Sequence, residues 1–348
     1  MKTVSIGKRL LGEGQPCYII AEAGKNHNGD VELARELVRK AAEAGVDAVK
    51  FQSIDTGRLM IRSGLRPAYF DETVGSKETE FDITKRLELP DSAHPELADL
   101  ARSLGIDFIS TPEDAGHADL LCDLKVPLLK VSSLNIDNVP LLRHMASKGL
   151  PMVISTGMAT LGEVEQALDV VLSNGCPGVV LLQCTSNYPA LPEDVNLRAM
   201  VTMRQTFGVP TGFSDHTMDD TMALGAVALG ASVYEKHFTL DRNMEGPDHR
   251  LSADPSEMKA IVERIRLLEK GLGNPIKKPT QTELEMKMFK RRSIVAARAV
   301  KQGTVLTADD LDCKCPGTGL SPRFFDILIG RKAQRDLPQD SILTWDDV

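Results

Sequence analysis

From Cys17 to about residue 270, short apolar and β-branched runs alternate with helix-length amphipathic stretches. The runs are Cys17–Glu22, Val46–Gln52, Asp107–Thr111, Leu128–Val131, Met152–Ser155, Val179–Gln183, Gly212–Thr217 and Val233–His237. Each is of strand length, and the stretch near Val31–Ala44 has the apolar spacing of a helix that faces a core. Thr160-Leu-Gly-Glu163 before an apolar run is a capping box that starts a helix. Strands that alternate with helices build a parallel sheet. Eight such units in about 250 residues predict a closed (β/α)8 TIM barrel rather than an open doubly wound sheet. No Gly-x-Gly-x-x-Gly follows a strand, so a dinucleotide-binding fold lacks its main support.

Three segments fall outside the repeat. Residues 1–15 are polar with glycines at 7, 12 and 14, and predict a small lid or hairpin. Residues 53–90 form a polar insertion too long for a simple connector, read here as a loop that covers substrate. The repeat stops near Gly271, which ends a barrel domain at 1–273. Residues 274–290 read as a linker, helical near Glu283–Lys290. From there, short strand-like pieces between turns mark a small domain, 291–348, expected to dock elsewhere because so short a chain buries little core.

Composition narrows the classes. The chain of 348 residues has a net charge of -8 and no basic block, which argues against nucleic acid. An anionic substrate therefore needs local lysine or arginine. The six cysteines are scattered without zinc or redox spacing, as expected for buried thiols in a reducing compartment. The N-terminus lacks the apolar core of a signal peptide, and no run is long enough to span a membrane, so a cytoplasmic location is expected.

Polar residues at the C-terminal ends of barrel strands read as catalytic. Here they are Glu22, Lys50, Gln52, Thr111, Lys130, Ser132, Ser155, Thr185, Ser186, Ser214, His216, Glu235 and His237. Spacing of i, i+2 puts Ser214 with His216, and Glu235 with His237, on one face of their strands. Two histidines at the ends of sequential strands suit a divalent metal with open coordination, a Lewis-acid arrangement rather than a structural zinc site. Lys50 and Lys130, with hydroxyls beside them, suit a phosphate-bearing anion. Glu22 is either an ion-pair partner of Lys50 or Lys130, or a general acid or base, or a group that orients a substrate hydroxyl. His27 and His249 are expected in mouth-side loops, and His94, His117 and His144 on the surface.

These residues also carry a family resemblance. Ile20-Ala-Glu-Ala-Gly-Lys-Asn-His-Asn-Gly-Asp30, Asp47-Ala-Val-Lys-Phe-Gln52, Cys184-Thr-Ser-Asn-Tyr-Pro189, Gly212-Phe-Ser-Asp-His-Thr217, Glu235-Lys-His-Phe-Thr-Leu-Asp241 and Gly246-Pro-Asp-His249 resemble motifs of the sialic acid synthase family. That family includes N-acetylneuraminate, legionaminate and pseudaminate synthases. The segment from Arg292 resembles its C-terminal antifreeze-like (SAF) domain. The resemblance implies condensation of phosphoenolpyruvate with an N-acetylated hexosamine, N-acetylmannosamine or a diacetamido-6-deoxyhexose, to a nine-carbon 2-keto sugar acid and phosphate. It also implies a homodimer in which each small domain caps the other barrel. By position, His216 and His237 match manganese ligands, with magnesium or cobalt as alternatives. Lys50, Thr111, Lys130, Ser155, Ser186 and Ser214 match positions around phosphoenolpyruvate, and Gln52, Tyr188 and Asp248 positions near the sugar. Glu22 matches the catalytic carboxylate. Two histidines already fill the family's metal positions, so Glu235 is expected to orient bound water or sugar.

The chain departs from the family pattern at two places. Ser186-Asn187-Tyr188 stands at the family's Asn-Ile-Tyr, so either Ser186 or Asn187 is expected to hold the phosphate. Cys315 stands where many members carry an arginine that reaches the sugar's N-acetyl group, leaving Lys314 or Arg323 to replace it. Two alternatives remain. One is a metal-dependent barrel aldolase or another phosphoenolpyruvate-condensing synthase, whose sugar phosphate could be met by Arg58, Arg62 and Arg66. The other is a non-catalytic carbohydrate-binding protein, for which this polar set has no use.

Overall fold

The computed structural model describes residues 3–63 and 78–348. The chain divides into two compact units, 1–273 and 274–348.

In the first unit, eight parallel strands surround a common core: β3 (Tyr18–Gly24), β4 (Ala48–Ser53), β5 (Asp107–Pro112), β6 (Leu129–Val131), β7 (Met152–Ser155), β8 (Val179–Cys184), β9 (Thr211–Asp215) and β10 (Val233–His237). Their order is β5-β4-β3-β10-β9-β8-β7-β6, and β5 and β6 pack side by side to bring the sheet round into a barrel. The side chains alternate. Tyr18, Ile20, Ala48, Ile109, Val153, Val180, Leu182 and Val233 fill the barrel, while Ile19, Val49, Phe108, Ile154, Leu181 and Tyr234 pack outward among the helices. Local signals set the helices. Asp30 accepts from the backbone N–H groups of Glu32 and Leu33 to start Val31–Ala44, and Gly45, at φ 81°, ends it in the left-handed region open to glycine. The capping box at Thr160 and Glu163 opens Leu161–Ser173.

Residues 4–11 are a hairpin, β1 (Val4–Ile6) with β2 (Arg9–Leu11). It is not a lid. Val4, Ile6 and Leu11 join the apolar core inside the barrel. A Cβ on Gly178, just before β8, would meet Val4, which places the hairpin at the N-terminal ends of the strands, opposite the polar residues. Apolar side chains that alternate along so short a strand pair need a core, and the open barrel bottom supplies it.

The insertion after β4 contributes the helices Thr56–Leu59 and Glu80–Arg86. Residues 64–77 of the expected covering loop, Arg66 among them, lie outside the described residues. Arg58 instead pairs with Asp55 and Asp114, and Arg62 lies over the Phe81 ring. Two histidines expected on the surface are buried. His94 meets the Ser53 hydroxyl at 2.8 Å, and His117 bridges Asp91 and Asp114 at 3.1 and 2.6 Å. Both lie on helix faces turned inward, a distinction that composition does not show.

In the second unit, the helix Gln281–Lys290 starts two residues before the expected segment, at a Thr280–Glu283 capping box. It buries none of its residues and exposes Leu284, Met286, Met288 and Phe289. Strands β11 (Ser293–Ala296) and β12 (Leu311–Lys314) pair antiparallel over a core that includes Ile294, Val300, Leu306, Leu328 and Leu343. Of the six free cysteines, Cys17, Cys176 and Cys184 are buried, Cys122 and Cys313 partly so, and Cys315 is exposed. No helix among the described residues is long and apolar enough to cross a membrane.

Candidate active site

A cavity of about 800 Å³ opens at the C-terminal ends of the strands. Its walls include all of the barrel residues that strand-end reasoning and family resemblance selected as candidates, except Thr185. The register explains why. Parallel pairing sets Ser214 opposite Glu235, His237 opposite Glu22, Glu22 opposite Lys50, and Gln52 opposite Thr111. Four consecutive strands, β9, β10, β3 and β4, thus present their polar ends side by side. Gly212 lets β9 and β10 approach. A Cβ there would stand 2.2 Å from the Val233 carbonyl oxygen, far inside contact distance.

Lys50 and Lys130 are the cationic floor. Lys50 Nζ lies 2.5 Å from Glu22 Oε2 and 3.8 Å from Glu235 Oε1, and it donates to Thr111 Oγ1 at 3.1 Å. Lys130 Nζ donates to Ser155 Oγ at 2.7 Å and to the Val131 carbonyl at 2.9 Å, and stands 4.0 Å from Glu235 Oε1. Burial pulls Lys130 below its ordinary pKa, and Lys50 repels its charge while Glu235 supports it. Burial pulls on Lys50 as well, but Glu22 and Glu235 together hold it above its ordinary value. Burial alone would raise Glu235; the charges of Lys130 and Lys50 more than offset that and hold it low. Glu22 goes the other way. Its desolvation outweighs Lys50, so its carboxyl is raised. Gln52 donates to Glu22 Oε1 at 2.9 Å, so Gln52 serves the carboxylate as well as lining the cavity.

The two histidines face each other with ring centroids 5.4 Å apart, and the Tyr188 ring lies 4.3 Å from His216. Burial, and then repulsion from His237, lowers His216 to about 4; burial also lowers His237. Both imidazoles are therefore neutral at pH 7. His216 Nδ1 donates to the Thr185 carbonyl at 2.7 Å, which leaves the lone pair on Nε2. His237 Nδ1 and Glu235 Oε2 are buried without hydrogen-bond partners. Neutral imidazoles with lone pairs and orphaned acceptor atoms form a donor set suited to a divalent cation. No group of three or more His, Cys, Asp or Glu side chains among the described residues is arranged to hold one.

Several expectations for other side chains differ. His27 is fully buried against Phe51 and accepts from Gly29 N–H, and His249 meets Thr239 Oγ1 and Asn28 Oδ1; neither lines the cavity. Arg323 belongs to the second unit, where it is exposed and its guanidinium lies 4.5 Å from the Phe324 ring centre. Lys314 in that unit is engaged by Asp340 at 2.5 Å. Sequence reasoning missed Lys25, Glu80, Glu113, Ser133, Leu134, Met158 and Cys184, all of which line the cavity. Glu113 carried a signal: it follows Thr111 at the same i, i+2 spacing, one residue past β5.

Comparison with known proteins is consistent along the chain. Residues 37–277 match the NeuB family, and residues 291–348 match the SAF domain. The N,N'-diacetyllegionaminic acid synthase of Legionella pneumophila is 44% identical, over 98% of this chain and 97% of that protein. The N-acetylneuraminate-9-phosphate synthase of Homo sapiens is 36% identical, over 96% and 93%. The crystal structure of N-acetylneuraminic acid (sialic acid) synthetase from Leptospira borgpetersenii, in complex with citrate, aligns with a TM-score of 0.72 at 32% identity, over 82% of this chain and 94% of that one.

Proposed function

The chain belongs to the NeuB family and is an enzyme of the sialic acid synthase type; from that premise we propose that it condenses phosphoenolpyruvate with an uncharged, N-acetylated hexosamine. The product is a nine-carbon 2-keto sugar acid, and phosphate is released. The observation that carries the reading is the pair of buried lysines, Lys50 and Lys130, each hydrogen-bonded to a hydroxyl in the cavity that also holds two neutral imidazoles.

Lys50 and Lys130, with Thr111, Ser155 and Ser214, receive the carboxylate and phosphate of phosphoenolpyruvate. Ser132, Ser186 and Asn187 extend this polar wall. His216 and His237 hold the divalent cation, manganese by family resemblance, with magnesium or cobalt compatible with two imidazoles. When bound, that cation polarises the acceptor's open-chain aldehyde. C3 of phosphoenolpyruvate attacks the aldehyde carbon, water adds at C2, and the C2–O bond to phosphate breaks. Glu22, its pKa raised and its position set by Lys50 and Gln52, handles the proton at the new hydroxyl. Glu235 stays ionised between the lysines and the histidines and orients water or sugar. Gln52, Tyr188 and Asp248 face the acceptor.

The charge of the lining favours an acceptor without phosphate. Among the described residues the cavity's cations are Lys25, Lys50 and Lys130, and its acids are Glu22, Glu80, Glu113, Asp194, Glu235 and Asp248. Once phosphoenolpyruvate occupies the two deep lysines, Lys25 is left beside the acids Glu80 and Glu113. The resemblance extends the reading to a homodimer whose small domains cap the partner's barrel; the exposed apolar residues of Gln281–Lys290 support a second copy as their cover, and sedimentation of the purified protein tests it.

The deciding assay is phosphate release from phosphoenolpyruvate with manganese and a panel of acceptors: N-acetylmannosamine, its 6-phosphate and diacetamido-6-deoxyhexoses. Release with an uncharged N-acetylated sugar is expected. Release with the 6-phosphate alone would overturn the uncharged acceptor, and no release with any sugar would overturn the synthase reading.

A further inference from the structure

Glu113 is a buried carboxylate in the cavity wall to which the mechanism above gives no role. It stands one residue beyond β5, where its backbone N–H bonds the Ser53 carbonyl at 3.2 Å. Two neighbours hold its side chain, and both address the same oxygen. Asn135 Nδ2 donates to Oε2 at 2.5 Å and Ser132 Oγ at 3.3 Å. Oε1 takes no hydrogen bond from the described residues. A buried carboxylate has room for several donors, and one held on a single oxygen keeps acceptor capacity on the other.

The surroundings of Glu113 narrow the ligand. Ser132 precedes the short 3-10 turn Ser133–Asn135 and Asn135 ends it, and that turn carries Leu134, a half-exposed apolar residue of the cavity wall. The turn is locked to the loop after β7, since Ser133 Oγ accepts from Gly157 N–H at 2.9 Å. A Cβ on Gly157 would stand 2.3 Å from Ser186 Oγ and 2.8 Å from Ser133 Oγ, so both hydroxyls would have to turn aside. The next residue, Met158, is 75% exposed and also lines the cavity. So a hydrogen-bond acceptor and two solvent-exposed apolar side chains share one wall. Such a wall suits a group with an N–H on one side and a methyl on the other.

We propose that Glu113, with Leu134 and Met158, is the subsite for an acetamido group of the acceptor, the N–H donating to Glu113 Oε1 and the methyl resting on the two apolar side chains. The inference rests on the synthase reading and adds a specificity-determining residue to it. Burial raises the Glu113 carboxyl above its ordinary range, and the hydrogen bonds from Ser132 and Asn135 act against that shift. An amide N–H would supply a further donor to the charged form.

The substitution Glu113→Gln has a defined geometry. Ser132 and Asn135 both donate, so they hold the amide oxygen at the Oε2 position and turn the NH2 toward the cavity. A donor then confronts a donor. The test compares wild type, Glu113→Gln and Glu113→Ala against two acceptors that differ only by acetamido or hydroxyl at one carbon, with melting temperatures measured in parallel. Expected is a rise of about 10-fold in KM for the acetamido sugar in both variants, a much smaller rise for the hydroxyl analogue, and a KM for phosphoenolpyruvate within about twofold of wild type. Equal losses for the two sugars at every carbon tried, or unchanged KM values, would overturn the subsite while wild-type turnover upholds the synthase reading. A rise in both substrates' KM values with a lowered melting temperature would show a structural residue and also overturn it. Wild-type protein that releases no phosphate with any acceptor removes both ideas together.

Discussion

Glu22 Oε2 lies 2.5 Å from Lys50 Nζ, across two neighbouring strands whose register pairs these residues directly. Each is almost wholly buried, yet each also serves a second partner, Gln52 for the acid and Thr111 for the base. Burying two charges costs several kcal/mol, and one ion pair repays that only with excellent geometry. A pair kept at the floor of an open cavity is therefore better explained by chemistry than by stability.

Glu22→Gln keeps the shape and the bond to a neighbour but cannot carry the proton. Its kcat for phosphate release is expected to fall on the order of 100-fold or more, with both KM values nearly unchanged. Steady-state kinetics beside a thermal melt check this. Wild-type kcat in the variant would reduce Glu22 to an ion-pair partner.

Lys130→Met replaces the cation with an apolar chain of similar length. Ser155 loses its donor and Glu235 loses one of the two charges that hold its carboxyl low. KM for phosphoenolpyruvate should rise about 100-fold, well beyond any change in acceptor KM, because a charge-assisted contact to an anion is lost. Titration of phosphoenolpyruvate by calorimetry gives the same quantity without turnover.

His237→Ala removes one of two facing imidazoles from a buried wall. Manganese affinity, read by calorimetry on the protein without substrate, is expected to weaken by on the order of 100-fold, while the far-ultraviolet circular dichroism stays that of wild type. Unchanged manganese binding would move the metal away from His216 and His237.

His27 predicts a pH dependence of stability. Burial lowers its pKa from the ordinary 6.5 to about 3. Between those values the unfolded chain binds a proton that the folded chain refuses. Stability therefore rises with pH across the window and is lost as pH falls from 6.5 toward 3, by about 1.4 kcal/mol per pH unit for this group. His216 and His237 act in the same direction. Denaturant unfolding of metal-free protein at several pH values should show the slope, and His27→Gln should lose one proton's share of it between pH 4 and 6. An identical slope in the variant would show that His27 is accessible to protons in the fold.

Period and punctuation along the chain were enough to determine the barrel. Apolar runs of strand length, separated by amphipathic helices with caps such as Asp30 and Thr160, admit few other arrangements, because each strand must bury both faces and each helix one. The i, i+2 rule likewise put Ser214 with His216 and Glu235 with His237, since pleating is a local property. Distances between strands were a different matter. That Glu22 meets Lys50, that Glu235 stands within reach of two lysines, and that Gln52 supports Glu22 depend on register around a closed sheet, which no local pattern encodes. The same holds for the hairpin at residues 4–11: its apolar residues were visible, but only the barrel's open bottom decided where they go. Burial of His94 and His117 was hidden because a helix position reveals its face only against its neighbours. Glu113 lay one residue past its strand, where only the i, i+2 spacing after Thr111 marked it. Only the fold sets Glu113 in the cavity wall, with Ser132 and Asn135 holding one of its carboxylate oxygens.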